Sequence, residues 1–343
     1  MSQQANNLTI NSPQLPQQGG TIATVQTTPG HAGPTGDLQF SIPLPISNGR
    51  GFTPSLALQY QTAQGNSPFG VGWQLPLLSI RLHTKHGTPK YDDTDHYVGP
   101  SGEVLEPERD SDGNIVRNTR STFGSKKLNP HEVIRYHSRV ASGYERYERW
   151  QLISDSLVQI FWLVFEPDGT LHCLGKSPLS QTSDKGRIAE WSIEESLSPH
   201  GEHIHYVYKA ENNDGIAPDQ LPENVRSRGA LSYLTQVFYG NVVASSELYC
   251  WSDTKQDEEH EWLFSLIFDY GQRSLDANLI PQWSATTNWL ARQDPFSDYN
   301  YGFEVRCHRI CHQVLMFHHF PDELTEQPML VRRLILDYNQ NPI

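Results

Sequence analysis

Two cysteines and four histidines fall within sixteen residues, VRCHRICHQVLMFHHF from Val305 to Phe320, so metal binding is the first chemistry to weigh. Cys307 and Cys311 stand four apart, and a histidine follows each. On a helix that spacing would bring both Cys-His pairs onto adjacent faces able to clasp Zn²⁺. The neighbours argue for a strand instead. Val305, Cys307, Arg309, Cys311 and Gln313 alternate at period two with Arg306, His308, Ile310, His312 and Val314. Thiolates four apart on a strand are separated by about 13 Å, too far to share one ion through bonds near 2.3 Å. Haem attachment wants two residues between its cysteines, and here there are three. The segment reads as structural cysteines with packed or surface histidines, and His318-His319 is its most open place for chemistry.

Other short motifs dissolve on inspection. HEVIRYH at 131–137 has Arg135 where a zinc-protease helix needs its second histidine. His203 and His205 share one face of a strand, a geometry zinc can use, but no third ligand can be nominated. Gly175-Lys176-Ser177 ends like a phosphate-binding loop, yet Thr170 stands where the leading glycine belongs, and Pro178 argues against a following helix. Glu194-Glu195 and Glu258-Glu259 are adjacent rather than facing, and read as solvated loop charges. Neither a Gly-x-Ser-x-Gly elbow nor a Gly-x-Gly-x-x-Gly loop occurs. These readings nominate no catalytic, cofactor-binding or metal-binding residue, and no cofactor.

The elements that would carry such residues are strands. LQFSIPLPIS from Leu38 and SLALQYQT at 55–62 alternate apolar and polar positions around the turn residues NGRGF. FWLVFEPDGTLHCLG places two apolar runs on either side of Pro167-Asp168-Gly169, a hairpin signal with a mechanism. Apolar runs close at Tyr208, Tyr239, Tyr270 and Tyr338, the first three 31 residues apart, which predicts a repeating β unit in an extended or curved sheet. Helical signal is sparse; PENVRSRGALSYL predicts a turn or two. Residues 1–36, rich in Gln, Asn, Thr, Pro and Gly, predict a polar flexible arm, leaving 37–343 as the folded unit.

The chain has 343 residues, with 26 Lys plus Arg against 39 Asp plus Glu. The resulting charge of −13 argues against a nucleic-acid backbone or an anionic membrane as the main partner. Four cysteines are too few for a disulfide-stapled scaffold and suit folding in a reducing compartment. The first residues lack a basic start and an apolar core, and nowhere do eighteen apolar residues run together, which predicts neither a signal peptide nor a membrane span.

Several segments together carry a resemblance: PLPISNGRGFTPSLALQYQTAQGNSPFGVGWQLPLLSI, SPHGEHIHYVYKAEN, WLARQDPFSDYNYGFEVRCHRICHQVLMFHHFPDEL and LVRRLILDYNQNPI. They resemble the N-terminal domain family of the Salmonella virulence plasmid B protein, SpvB, which also opens the B components of insecticidal toxin complexes. The resemblance runs from about residue 15 to Ile343. It implies an all-β, mainly antiparallel fold: an extended curved sheet with few short helices, part of a hollow shell akin to RHS/YD-repeat proteins.

It also implies a non-catalytic scaffold or delivery domain of a secreted toxin, shielding or presenting a downstream effector such as an actin ADP-ribosyltransferase. That enzyme class needs a Ser-Thr-Ser strand and a Glu-x-Glu loop. Glu106-Pro107-Glu108 and Glu259-His260-Glu261 match the second by spacing, but no Ser-Thr-Ser occurs, so no enzyme activity is expected of these residues. Expected partners are a downstream effector domain or toxin-complex subunits, together with a host-cell component. The expected location is extracellular, by a route that uses no signal peptide, after synthesis in the bacterial cytoplasm. Pro342 beside Ile343 suggests a polypeptide that continues. One alternative is a module binding a host protein or glycan through exposed Trp283 and Trp289. Another is a metal-dependent enzyme built on the Cys307 to His319 stretch.

Overall fold

The computed structural model describes residues 38–140, 143–154, 158–216, 223, 226–251, 261–320, 323–324 and 328–339. The arm at 1–36, Glu258, Glu259, His260 and Pro342-Ile343 lie outside them. Three early strands, β1 (Gln39–Pro43), β2 (Ala57–Gln61) and β3 (Trp73–Gln74), form a small antiparallel sheet. The pairing of Gln39 with Gln61 and Pro43 with Ala57 is the hairpin expected around NGRGF.

A second sheet holds most of the remaining chain. Its first part comprises β4 (Ser79–Leu82), β5 (Tyr97–Val98), β6 (Val104–Pro107), β7 (Asn118–Phe123), β8 (Lys126–Ser138) and β9 (Arg146–Leu152). Next come β10 (Ile160–Phe165), β11 (Leu171–Leu174), β12 (Gln181–Asp184) and β13 (Arg187–Leu197). Strands β11, β10, β9, β8, β6, β5, β4 and β13 pair in that order, and β11 pairs back onto β13. The sheet thus closes into an antiparallel barrel of eight strands, a size at which side chains just fill the lumen or leave room for one small ligand. The β10–β11 hairpin turns through Gly169 at φ +90°, as Pro-Asp-Gly predicts.

Along β10 the side chains divide cleanly. Trp162 and Val164 pack inward with Leu105, Tyr136, Tyr147 and Trp191, while Phe161 and Leu163 pack outward with Val133, Trp150 and Cys173. Leu248, Cys250 and Trp251 from a later loop cover that outer face. Burial on both faces explains why FWLVF reads as a continuous apolar run rather than an alternation.

From β13 the same sheet runs outward as an open wing. It comprises β14 (His203–Ala210), β15 (Ser232–Asn241), β16 (Trp262–Asp269), β19 (Gln313–His318) and β20 (Met329–Ile335), each antiparallel to the one before. Between β16 and β19 lie β17 (Phe296–Asp298) and β18 (Val305–Cys307), a separate pair. The repeating tyrosines serve this wing. Their hydroxyls donate to distant backbone carbonyls: Tyr208 to Ile193 at 2.7 Å, Tyr239 to Ser47 at 2.6 Å, Tyr270 to Leu234 at 3.0 Å and Tyr338 to Cys311 at 2.8 Å. The expected extended sheet is therefore half of the architecture, and the barrel is the other half.

One detail of local structure differs from expectation. The Cys/His stretch is two strands, β18 and β19, with a break at 308–312, because both sides of that segment are buried and its arginines leave the ladder for separate carboxylates. Within PENVRSRGALSYL, Glu223 is in a 3₁₀ turn and Gly229-Ala230 turn before strand begins at Ser232, where Tyr233 and Leu234 meet the core.

Candidate functional site

Within the Cys/His stretch each group has its own partner. Cys307 and Cys311 are free and buried in the main core, their thiols directed to the carbonyls of Arg309 and Gln313, both at 3.4 Å. Burial pushes both thiols above their usual range. His308 lies 3.2 Å from Glu223, and burial lowers it to about 4 despite that carboxylate. His312 packs against Tyr338, His318 meets Ser47 Oγ at 2.8 Å, and His319 meets Ser265 Oγ at 2.8 Å. His319 is likewise lowered to about 4, first by burial and then by His318. The four imidazoles thus serve four different contacts. Among the described residues no group of three His, Cys, Asp or Glu converges as a metal site.

Arg309 and Glu211, both fully buried, form an ion pair at 2.5 Å, and Arg309 also donates to the Asn212 and Asp214 carbonyls. The guanidinium lies 5.3 Å from the centre of the Trp289 ring. Trp289 is 1 % exposed, which corrects its expected role as a surface aromatic: it is the floor on which this buried charge rests. Trp283 is partly buried against Phe317 and His319.

Glu194 and Glu195 overturn their reading as loop charges. Both lie inside β13 and are buried. Glu194 accepts from the Ser177 amide at 2.8 Å and the Ser180 hydroxyl at 2.7 Å, so the Gly175-Lys176-Ser177 segment ends in a single 3₁₀ turn, Pro178–Ser180. Glu195 accepts from the Tyr249 and Cys250 amides, each at 2.8 Å, and from His203 Nδ1 at 2.6 Å. His203 Nε2 donates to the Ser245 carbonyl at 2.8 Å, and the ring stacks on Tyr249 at 3.8 Å. Both ring nitrogens are engaged, so the imidazole is held between the Glu195 carboxyl and the Ser245 carbonyl.

This carboxylate–histidine pair looks like part of a catalytic constellation. Its geometry says otherwise: both groups are fully buried, every polar atom of the pair is already bonded, and no hydroxyl or thiol nucleophile bonds to the ring. It pins the loop carrying Leu248, Cys250 and Trp251 over the barrel wall. Both His203 and Glu195 were on view in the sequence, but nothing local ties them together: Glu195 stands next to Glu194 on β13, one hairpin away from the histidine.

What remains available to a partner is backbone edge. Among the described residues strand β20 pairs with β19 only, and Met329, Val331 and Ile335 are exposed on it at 44, 42 and 45 % beside Arg332. A strand edge with exposed apolar side chains is a template for a further strand.

The sequence matches the family described as "Salmonella virulence plasmid 65kDa B protein" over residues 32–320. The chain belongs to the SpvB family. It is 44 % identical over 338 residues to the mono(ADP-ribosyl)transferases SpvB of Salmonella choleraesuis and Salmonella typhimurium, covering 97 % of this chain and 55 % of theirs. The chain thus spans about half the length of these relatives.

Among solved structures, the N-terminal domain of the effector protein SpvB from Salmonella typhimurium strain LT2 superposes with a TM-score of 0.83 at 45 % identity, covering 88 % of this chain and 94 % of that domain. TcdB2-TccC3 gives 0.85 at 40 %, covering 97 % of this chain and 16 % of the other. The Photorhabdus luminescens Tc holotoxin pore gives 0.83 at 40 %, covering 98 and 16 %. The solved SpvB structure that this chain matches is its N-terminal domain, 94 % of which is covered. No helix among the described residues is long and apolar enough to cross a membrane.

Proposed function

We propose that this chain is a structural module of a secreted bacterial toxin, whose sheet is continued by a following toxin segment or a toxin-complex subunit and so shields or presents an effector. The observation that carries this reading is the β20 edge: one end of the large sheet is closed by the barrel, while the other ends on exposed Met329, Val331 and Ile335. Arg332 and Arg333 stand on the same strand, and Arg333 is bonded to the Ser274, Asp276 and Leu279 carbonyls, so the apolar positions are what a continuing strand would cover. The relatives in which the same fold makes up 14 to 16 % of a much larger solved chain support continuation. Secretion, and an arm at 1–36 that shields apolar surface, belong to the same proposal.

Hydrogen exchange tests it. Amides of β20 exchange quickly in the isolated chain and slow at least tenfold when further toxin sequence is joined after residue 343. Equal rates in the two proteins would overturn the reading.

A further inference from the structure

On the outer face of the wing, where the loop after β16 folds back over the sheet, lies a cavity of about 350 Å³, within the range of small-ligand pockets. Strand side chains make its floor: Lys209 of β14, Gln236 of β15 and Ile267 of β16, the last two being partners across the ladder. The loop supplies the wall through Gln272, Trp283 and Ser284. No Asp or Glu is among the lining residues.

The wall is held in place from beneath. Arg273 pairs with Asp269 at 3.4 Å, both side chains buried, and donates to the Gln282 carbonyl at 2.9 Å and the Trp283 carbonyl at 2.5 Å. A buried charge thus fixes the backbone that carries Trp283, so the indole is positioned before any ligand arrives. The ring meets Phe238, Phe317 and His319 edge to face, at centroid distances of 6.3, 5.2 and 4.9 Å, and stacks flat on none of them.

The polar groups of the cavity are idle. The side-chain amides of Gln236 and Gln272, the Ser284 hydroxyl and the Trp283 indole N–H make no hydrogen bond within the described residues. Buried glutamines of the large sheet differ: Gln313 donates to Asp269 at 2.6 Å, and Gln181 to the Gly175 carbonyl at 2.7 Å. A planar amide offers a donor and an acceptor side by side, which matches adjacent hydroxyls on a sugar ring, while an indole matches the ring's apolar face. Of the two tryptophans that a glycan-binding reading of the sequence would use, only Trp283 reaches this cavity.

We propose that this cavity binds one hexose unit of a glycan, the sugar ring against Trp283 and neighbouring hydroxyls on Gln236 and Gln272.

Titration of the isotope-labelled full chain with the methyl glycosides of glucose, galactose, mannose, N-acetylglucosamine and sialic acid tests the proposal through the Trp283 indole N–H signal, assigned by its loss in Trp283→Phe. At least one of these sugars shifts that signal saturably, and the preferred one identifies the unit. Gln236→Ala and Gln272→Ala, both at half-buried positions, each weaken that binding about tenfold with the melting temperature unchanged. Saturation-transfer NMR with the same sugars and the two glutamine variants supplies the readout if Trp283→Phe fails to fold. Binding of none of the five sugars, or full binding by both folded glutamine variants, would overturn the assignment.

Discussion

At the scale of single residues, the histidines are the pH-sensitive part of the fold. His319, bonded to Ser265 and packed edge-on to Trp283, is lowered to about 4 chiefly by burial, and His312 and His318 are lowered for the same reason. An unfolded histidine titrates near 6.5, so below that pH the unfolded chain binds a proton that the folded chain refuses until about pH 4. Folding stability is therefore expected to fall as pH drops from about 6.5 towards 4. Urea midpoints measured across that window check it, and His319→Gln should flatten the slope. A slope unchanged in the variant would remove His319 as a cause. The types and spacing of these histidines were plain in the sequence. Their separate partners, Glu223, Ser47 and Ser265, come from positions as many as 271 residues away, and no local pattern encodes them.

At the scale of elements, barrel closure depends on the seam between β11 and β13. The register there shifts between Cys173 and Leu174, and the chain then turns at Gly175, φ +66°, whose amide donates to the Ser192 carbonyl at 2.9 Å. A Cβ on Gly175 would collide with the Trp191 ring, which itself bonds the Ile160 carbonyl across the lumen at 2.8 Å. Gly175→Ala thus combines a left-handed backbone penalty with displacement of a core tryptophan, at an expected cost of about 2–4 kcal/mol. Thermal unfolding followed by tryptophan fluorescence measures this; a shift below about 2 °C would mean that the seam is not where closure is decided. Hairpins such as β10–β11 were legible because Pro-Asp-Gly acts locally. The β11–β13 closure was not, since it is a pairing between strands whose own turns point elsewhere.

At the scale of the whole molecule, one sheet serves two purposes: eight strands close on themselves, and the strands beyond β13 stay open to end at β20. Near that edge Ile42, Leu58, Val71, Trp73 and Ile335 line an apolar groove of about 310 Å³, with Val71 exposed at 68 %. If the arm at 1–36 shields this surface, its deletion lowers the melting temperature or promotes concentration-dependent association. Sedimentation and calorimetry on the truncated chain check both, and unchanged behaviour in the two would count against shielding.

The sequence alone determined that this is a strand-built, acidic protein of the SpvB family without a nameable catalytic motif. Period-two alternation, turn residues and charge are local properties, carried by neighbours along the chain. Only the tertiary structure decided that Glu195 is buried against His203 and that Trp289 is a floor rather than a surface. Burial and pairing of that kind are set by which strands meet across the sheet, and long-range pairing leaves no periodic mark on the residues that make it.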